Sequence, residues 1–321
     1  MKAILDPRQA NHDPKHFMAN GAILPNHEQP ARIDILTAGA LAATGNGYHR
    51  GGNGAPLNGV TRMPFDGYLG PDVDTSEILA KMLADPSGGV DAPAAILVEP
   101  VQGEGGLNAA SGDWLRKIER IARDHGALLI VDDIQAGCGR TGDFFGFEEA
   151  GLKPDLVTMA KSVSGFGLPM GLVLVKPEHD IMGPAEHNGT FRGNTHAFVT
   201  ARVAIEKFWA DKSFEEDIAR RADIIAEGLG KVAAMVHDSR LKGRGMMRGV
   251  DVGSGELASA ICGRCFEKGL VIETSGPEDE VVKILAPLTT PDETLREGLR
   301  MLEESAREVL QERSEAQIAA E

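Results

Sequence analysis

ALLIVDDIQAGCGRTGDFFGFEEAGLKPDLVTMAKS, residues 127–162, begins and ends with short apolar runs that lead into charge. Ala127–Val131 runs directly into Asp132 and Asp133, and Leu156–Met159 is followed, after Ala160, by Lys161. Apolar runs of four or five residues between turn signals mark strands buried on both faces of a parallel sheet. Upstream, Ala94–Val98 (AAILV) is a third such run and leads into Glu99. Between the first two strands, Ser111 suits a helix N-cap. Trp114, Leu115, Ile118, Ile121 and Ala122 follow at helical spacing, and Gly126 offers a stop. A strand, a crossover helix and a second strand make a βαβ unit, so an α/β fold is predicted, with a mostly parallel sheet and helices on both faces. Gly171–Val175 (GLVLV) reads as a further parallel strand.

Open parallel sheets bind ligands beyond the carboxyl ends of their strands, which is where Glu99, Asp132, Asp133 and Lys161 fall. Charges at strand ends are common in such folds, so a functional edge and a merely solvated one both remain open. The chemistry favours an aldehyde cofactor: a lysine amine forms a Schiff base, and a carboxylate against a pyridine nitrogen keeps that nitrogen protonated. Asp132 suits the second role.

The rest of the chain sets the context. Its 321 residues exceed one compact domain, which predicts a large domain with a smaller one appended. An apolar fraction of 42% with 25% charged residues is that of a soluble globular protein. The 33 Lys and Arg against 48 Asp and Glu give a net charge of -15, which argues against nucleic-acid and anionic-membrane partners. Three cysteines fit a reducing cytoplasm better than a disulfide framework. Cys262 and Cys265 form a C-x-x-C without a second ligand pair, leaving helix packing and a metal or redox role as alternatives. No signal-peptide or membrane-length apolar run occurs.

Residues 1–32 read as a poorly ordered leader, and Gly45–Gly59 as a glycine-rich surface loop. Residues 33–200 then form the large domain and 201–321 the small one. A long helix spans Phe198 to Trp209. Beyond it come helical Arg220–Val236, strand-like Arg248–Val252, helical Glu256–Lys268 and strand-like Val281–Leu285, with a helix fraying into a charged tail past Glu303.

Val131–Ser162 is similar to the stretch of fold-type I, class III aminotransferases that carries the ring-nitrogen aspartate and the Schiff-base lysine. Val98–Gly106 (VEPVQGEGG) resembles the family's active-site loop, and His187–Asn194 (HNGTFRGN) its segment that enters the partner subunit's site. The resemblance implies pyridoxal 5'-phosphate as cofactor. It gives Lys161 the Schiff base and the proton transfers, Asp132 the ring nitrogen, and Gln135 the ring hydroxyl. Glu99 is placed at the cofactor, and Thr190 donates to its phosphate across a homodimer interface. Asp133 supports the neighbouring loop. Glu104 resembles the family's switch carboxylate, which shields a cation for one substrate and releases it for the other. Relatives often use an arginine as that cation, where VVKILAPL (residues 281–288) places Lys283, a point charge instead of a bidentate fork. Arg192 and Arg244 are candidates for substrate carboxylates, with surface salt bridges as the alternative.

Gly39–Asn46 (GALAATGN), His49–Gly52, Gly59–Thr75 and His187–Ala201 resemble the diaminobutyrate-forming branch of that family, which serves ectoine biosynthesis. That implies amino transfer from glutamate to L-aspartate 4-semialdehyde, giving 2-oxoglutarate and L-2,4-diaminobutyrate. A related enzyme for ornithine, acetylornithine or 4-aminobutyrate and a catalytically impaired remnant are the alternatives. The family's Gly-Thr-rich phosphate turn has no counterpart in residues 1–36, and Ile33, Asp34, Ile35 and Leu36 stand where the family stacks an aromatic on the ring. An N-terminally incomplete large domain is thus expected. Without oriented N–H donors at a helix N-terminus, the expectation is weak cofactor retention. A sheet missing part of its cover also exposes apolar surface.

Overall fold

A computed structural model describes residues 16–19, 22–25, 59–184 and 193–320. The expectations for Ile33–Leu36, for most of the glycine-rich segment and for Thr190 and Arg192 lie outside the described residues. The chain divides into two compact units, residues 1–62 and 63–321. In the first, β1 (His16–Ala19) pairs antiparallel with β2 (Ala22–Pro25).

In the second unit, α1 (Thr75–Ala84) precedes a four-stranded sheet in the order β3 (Ala95–Val98), β4 (Leu128–Asp132), β5 (Leu156–Ala160), β6 (Gly171–Val175). β3, β4 and β5 run parallel. Between β3 and β4 lies α2 (Gly112–Asp124), capped by Ser111, whose hydroxyl accepts from the Trp114 N–H at 3.2 Å. The five apolar residues at helical spacing, Trp114, Leu115, Ile118, Ile121 and Ala122, are all buried against the sheet residues Val98, Leu129, Val131 and Val157. Trp114 also donates its ring N–H to Thr75 Oγ1 at 2.8 Å, which fixes α1 on α2.

The expectation that Gly171–Val175 is a parallel strand is corrected: β6 is antiparallel to β5. Ten residues, 161–170, separate the two strands. A parallel return needs a crossover of about a dozen or more. Their 3-10 turn, Lys161–Ser164, reverses the chain instead. Asp155, buried ahead of β5, accepts from the Leu129 N–H at 2.7 Å and from Lys176 Nζ at 2.9 Å, and also pairs with Arg123. It thereby ties α2, β4 and the end of β6 together.

α3 (Thr195–Phe208) packs on the turn that follows Lys161. The C-terminal part consists of α4 (Ser213–Ala233), β7 (Arg240–Arg244), β8 (Met247–Asp251), α5 (Gly255–Glu267), β9 (Glu273–Ser275), β10 (Val281–Ile284) and α6 (Asp292–Ala320). Its sheet is antiparallel, ordered β7-β8-β10-β9. α4, α5 and α6 bury Ile225, Leu229, Ile261 and Leu302 against Val250 and Val282, a core separate from that of the first sheet. α4 begins at Ser213, ahead of the expected Arg220; Phe214 and Ile218 are buried in its first turns, and Asp211 Oδ1 accepts from the Ser213 N–H at 2.9 Å. α6 continues to Ala320 instead of fraying past Glu303, since Leu295, Leu299, Leu302, Ala306 and Val309 keep one face buried. Arg264 of α5 and Lys268, which caps it, also clasp Glu308.

Cys262 and Cys265 are free thiols on α5, packed in that core, and burial pushes the Cys262 thiol up to about 12. No metal-binding cluster occurs among the described residues. Nor is any described helix long and apolar enough to cross a membrane.

Candidate active site

The parallel register decides which side chains share an edge. Val98 pairs with Val131 and Asp132 with Thr158. Glu99 therefore leaves β3, Asp132 ends β4, and Lys161 follows β5 three residues after Thr158, all at the carboxyl end of the sheet. Glu99 reports their proximity. Burial raises its carboxyl to about 7, against the Gly103 N–H that it accepts at 3.2 Å. The negative charges of Asp132 and Glu104 push it further up, and the Lys161 ammonium pulls it down.

Lys161 has φ 52°, a left-handed conformation uncommon outside glycine. A tight turn holds it there. The turn closes at Gly165, with φ 71°, and Thr200 of α3 donates its hydroxyl to the Ser164 carbonyl at 2.7 Å. Gly165 lies so close to α3 that an added Cβ would stand 2.5 Å from Ala204 Cβ. The lysine side chain itself remains exposed.

The adjacent carboxylates of Asp132 and Asp133 part company. Asp133 is buried, both its oxygens accept from the Gly146 N–H at 3.1 Å, and its carbonyl accepts from Gly137. A Cβ at Gly137 would lie 2.5 Å from Asp133 Oδ2, so the loop closes tightly around this side chain. Asp132 stays at the strand end and accepts from the Ile134 N–H at 3.1 Å.

A second group of residues stands where the loop after β3 meets the C-terminal sheet. Gln135 Nε2 donates to Glu104 Oε1 at 2.7 Å. Lys283 on β10 is buried, with Nζ 2.9 Å from Glu273 Oε1 and 3.8 Å from Glu104 Oε1. Partial burial raises the Glu104 carboxyl, but the Gln135 amide and the Lys283 and Lys161 charges carry it below the ordinary range overall. Ser275 Oγ donates to the Gly103 carbonyl at 3.0 Å and pins the loop to β9. Glu273 and Ser275 escaped the sequence reading. β9 has three residues and no apolar alternation, and only the cross-strand pairing of Lys283 with Glu273 reveals the contact.

Arg244 lies 2.5 Å from Glu149 Oε2 and also donates to the Gly146 carbonyl, while its Nε is buried without a hydrogen-bond partner.

An amine and an acid on neighbouring strand ends fit an aldehyde-bearing pyridine ring, the amine for the aldehyde and the acid for the ring nitrogen. Gln135 Oε1 is buried without a hydrogen-bond partner, and a ring hydroxyl would supply its missing donor.

Residues 36–305 match the family model Aminotransferase class-III. The chain is 55% identical over 272 residues to an uncharacterized aminotransferase of Sinorhizobium fredii, covering 84% of this chain and 61% of that protein. It is 53% identical over 278 residues to a diaminobutyrate–2-oxoglutarate transaminase of Halomonas elongata, covering 85% and 66%. Among solved structures, an ornithine aminotransferase of Toxoplasma gondii, described with partial occupancy of pyridoxal phosphate at its active site, is similar with a TM-score of 0.72. Its identity is 25%, over 86% of this chain and 62% of that one. The chain thus spans 61–66% of the length of these two curated relatives.

Proposed function

The chain belongs to the class III aminotransferases, pyridoxal-phosphate enzymes of fold type I, and from that premise we propose that its sheet edge exchanges amino groups between glutamate and L-aspartate 4-semialdehyde. The products are 2-oxoglutarate and L-2,4-diaminobutyrate, as in ectoine biosynthesis. The observation that carries the reading is the placement of Asp132 and Lys161 at the carboxyl ends of the paired strands β4 and β5. Identity above half to a relative named for this reaction supports the choice of substrates.

Bound at this edge, pyridoxal 5'-phosphate supplies an aldehyde and an electron-withdrawing ring. Lys161 Nζ would hold the aldehyde carbon and serve the substrate carbon as general base and then acid. Asp132 would keep the ring nitrogen protonated, Gln135 Oε1 would accept from the ring hydroxyl, and Glu99 lines the same edge. Thr190 and Arg192 are assigned to the cofactor phosphate and a substrate carboxylate on the resemblance alone. Glu104 shields Lys283 while the terminal amine of diaminobutyrate reacts, and uncovers it to receive a carboxylate of glutamate.

We assign the large domain to residues 33–200 and the small one to 201–321, a division that the two separate cores support. A cytoplasmic homodimer or higher homo-oligomer is the proposed state, on the unpaired cysteines and on the expected reach of Thr190 into a partner.

Pyridoxal 5'-phosphate added to the purified chain, with unbound cofactor then removed, is expected to leave a visible absorbance band on the protein that Lys161→Ala abolishes. A chain that stays colourless, or a band that survives in the variant, defeats the proposal. In an amine-donor panel, L-2,4-diaminobutyrate should outpace ornithine and 4-aminobutyrate as the donor to 2-oxoglutarate.

A further inference from the structure

We propose that Glu273 is the standing counter-ion of Lys283, and that its charge sets how strongly this end of the site takes a ligand's distal carboxylate. The inference rests on the reading of Lys283 given above, and goes beyond it by assigning a residue that the sequence pattern does not mark.

Lys283 and Glu273 face each other across the antiparallel ladder of β10 and β9, so two strands fix their separation. Glu104, by contrast, sits in a loop, and its nearer partner is the Gln135 amide at 2.7 Å, not the lysine at 3.8 Å. At 2.9 Å, Glu273 makes the direct ion pair, whereas Glu104 feels Lys283 only through space. The asymmetry has a consequence for exchange. An ammonium buried as deeply as Lys283 is costly to leave without a partner. With Glu273 in place, Glu104 can withdraw without stranding that charge, and an incoming carboxylate meets a lysine already half neutralised. Glu273 therefore lowers affinity for a dicarboxylate and keeps the site open to a substrate ending in an amine. It acts through Lys283 and is a positioning residue.

Glutarate, which carries two carboxylates and no amine, is the probe, titrated calorimetrically into the protein loaded with pyridoxal 5'-phosphate. Glu273→Gln is expected to tighten glutarate about fivefold, the size of a partly exposed charge pair. Glu273→Asp, which keeps the charge, should restore an affinity within about twofold of the parent on the same scale. Lys283→Met should lose most of the binding. Melting temperatures of the three variants establish that each is folded. Unchanged or weaker binding in Glu273→Gln, with Lys283→Met still defective, overturns the counter-ion role while leaving Lys283 as the carboxylate site. Unchanged binding in Lys283→Met removes the underlying reading and the inference with it.

Discussion

Asp133 carries its carboxyl inside the loop that it organises, with both oxygens on the Gly146 N–H, and burial raises it from an ordinary 3.8 to about 7. In the folded chain it keeps its proton up to about pH 7, whereas the unfolded chain releases it near 3.8. Between those values the native state binds more protons, so stability falls as pH rises. The contribution is whole below pH 3.8 and gone above about 7, and amounts to at most ~4 kcal/mol. Glu99, also raised to about 7 by burial, adds in the same direction. Asp133→Asn keeps an acceptor for Gly146 without the charge. Urea titrations from pH 4.5 to 8 should show a downward slope in the parent that flattens in the variant, and parallel curves for the two would refute the assignment. At this scale the sequence marked candidates where chemistry follows a strand, as at Glu99, Asp132 and Lys161, or where a motif names a residue, as at Glu104 and Lys283, and the structure puts the first three at one sheet edge and the last two 3.8 Å apart. It was silent on Glu273, an exposed glutamate among 48 acidic residues until a ladder brings it opposite a buried lysine.

Elements were legible in proportion to how much apolar surface each one buries. The runs of β3, β4 and β5, and α2 with its Ser111 cap, stood out because each is a continuous apolar run or a full apolar stripe that buries side chains such as Val98, Leu129, Val131, Val157 and Leu115. β7 (RLKGR) and β9 (ETS) lie at sheet edges with little apolar content, and α1 is a short helix, so none of the three was anticipated. The direction of β6 depended on connection length, which the apolar pattern does not encode. That connection is itself open to test. Gly165 and Gly167 both have positive φ, 71° and 76°, but only a Cβ at Gly165 meets a neighbour, Ala204. Gly167→Ala should cost the left-handed penalty alone, about 1–2 kcal/mol. Gly165→Ala should cost about 1–3 kcal/mol more, from overpacking against α3. Equal losses by chemical denaturation would show that the α3 contact does not hold the Lys161 turn.

On the scale of the whole molecule, two forces act against each other between copies of the chain. A net charge of -15 repels, and its reach shrinks from about 10 Å at 0.1 M salt to about 3 Å at 1 M. Exposed apolar side chains attract. Phe198, Val199, Val203 and Ile205 stand open on α3, and Val173 and Leu174 on β6. Because salt weakens the repulsion and leaves hydrophobic contact intact, self-association should strengthen with ionic strength, the reverse of an interface held by ion pairs. Sedimentation velocity at 0.05 and 0.5 M sodium chloride should show a shift toward larger species at the higher salt. Val199→Asp with Val203→Asp, one helical turn apart on the exposed face of α3, should suppress that shift while leaving the far-ultraviolet circular dichroism unchanged. Association that weakens with salt, or that the double variant leaves intact, would place the contact on charged groups or on another face.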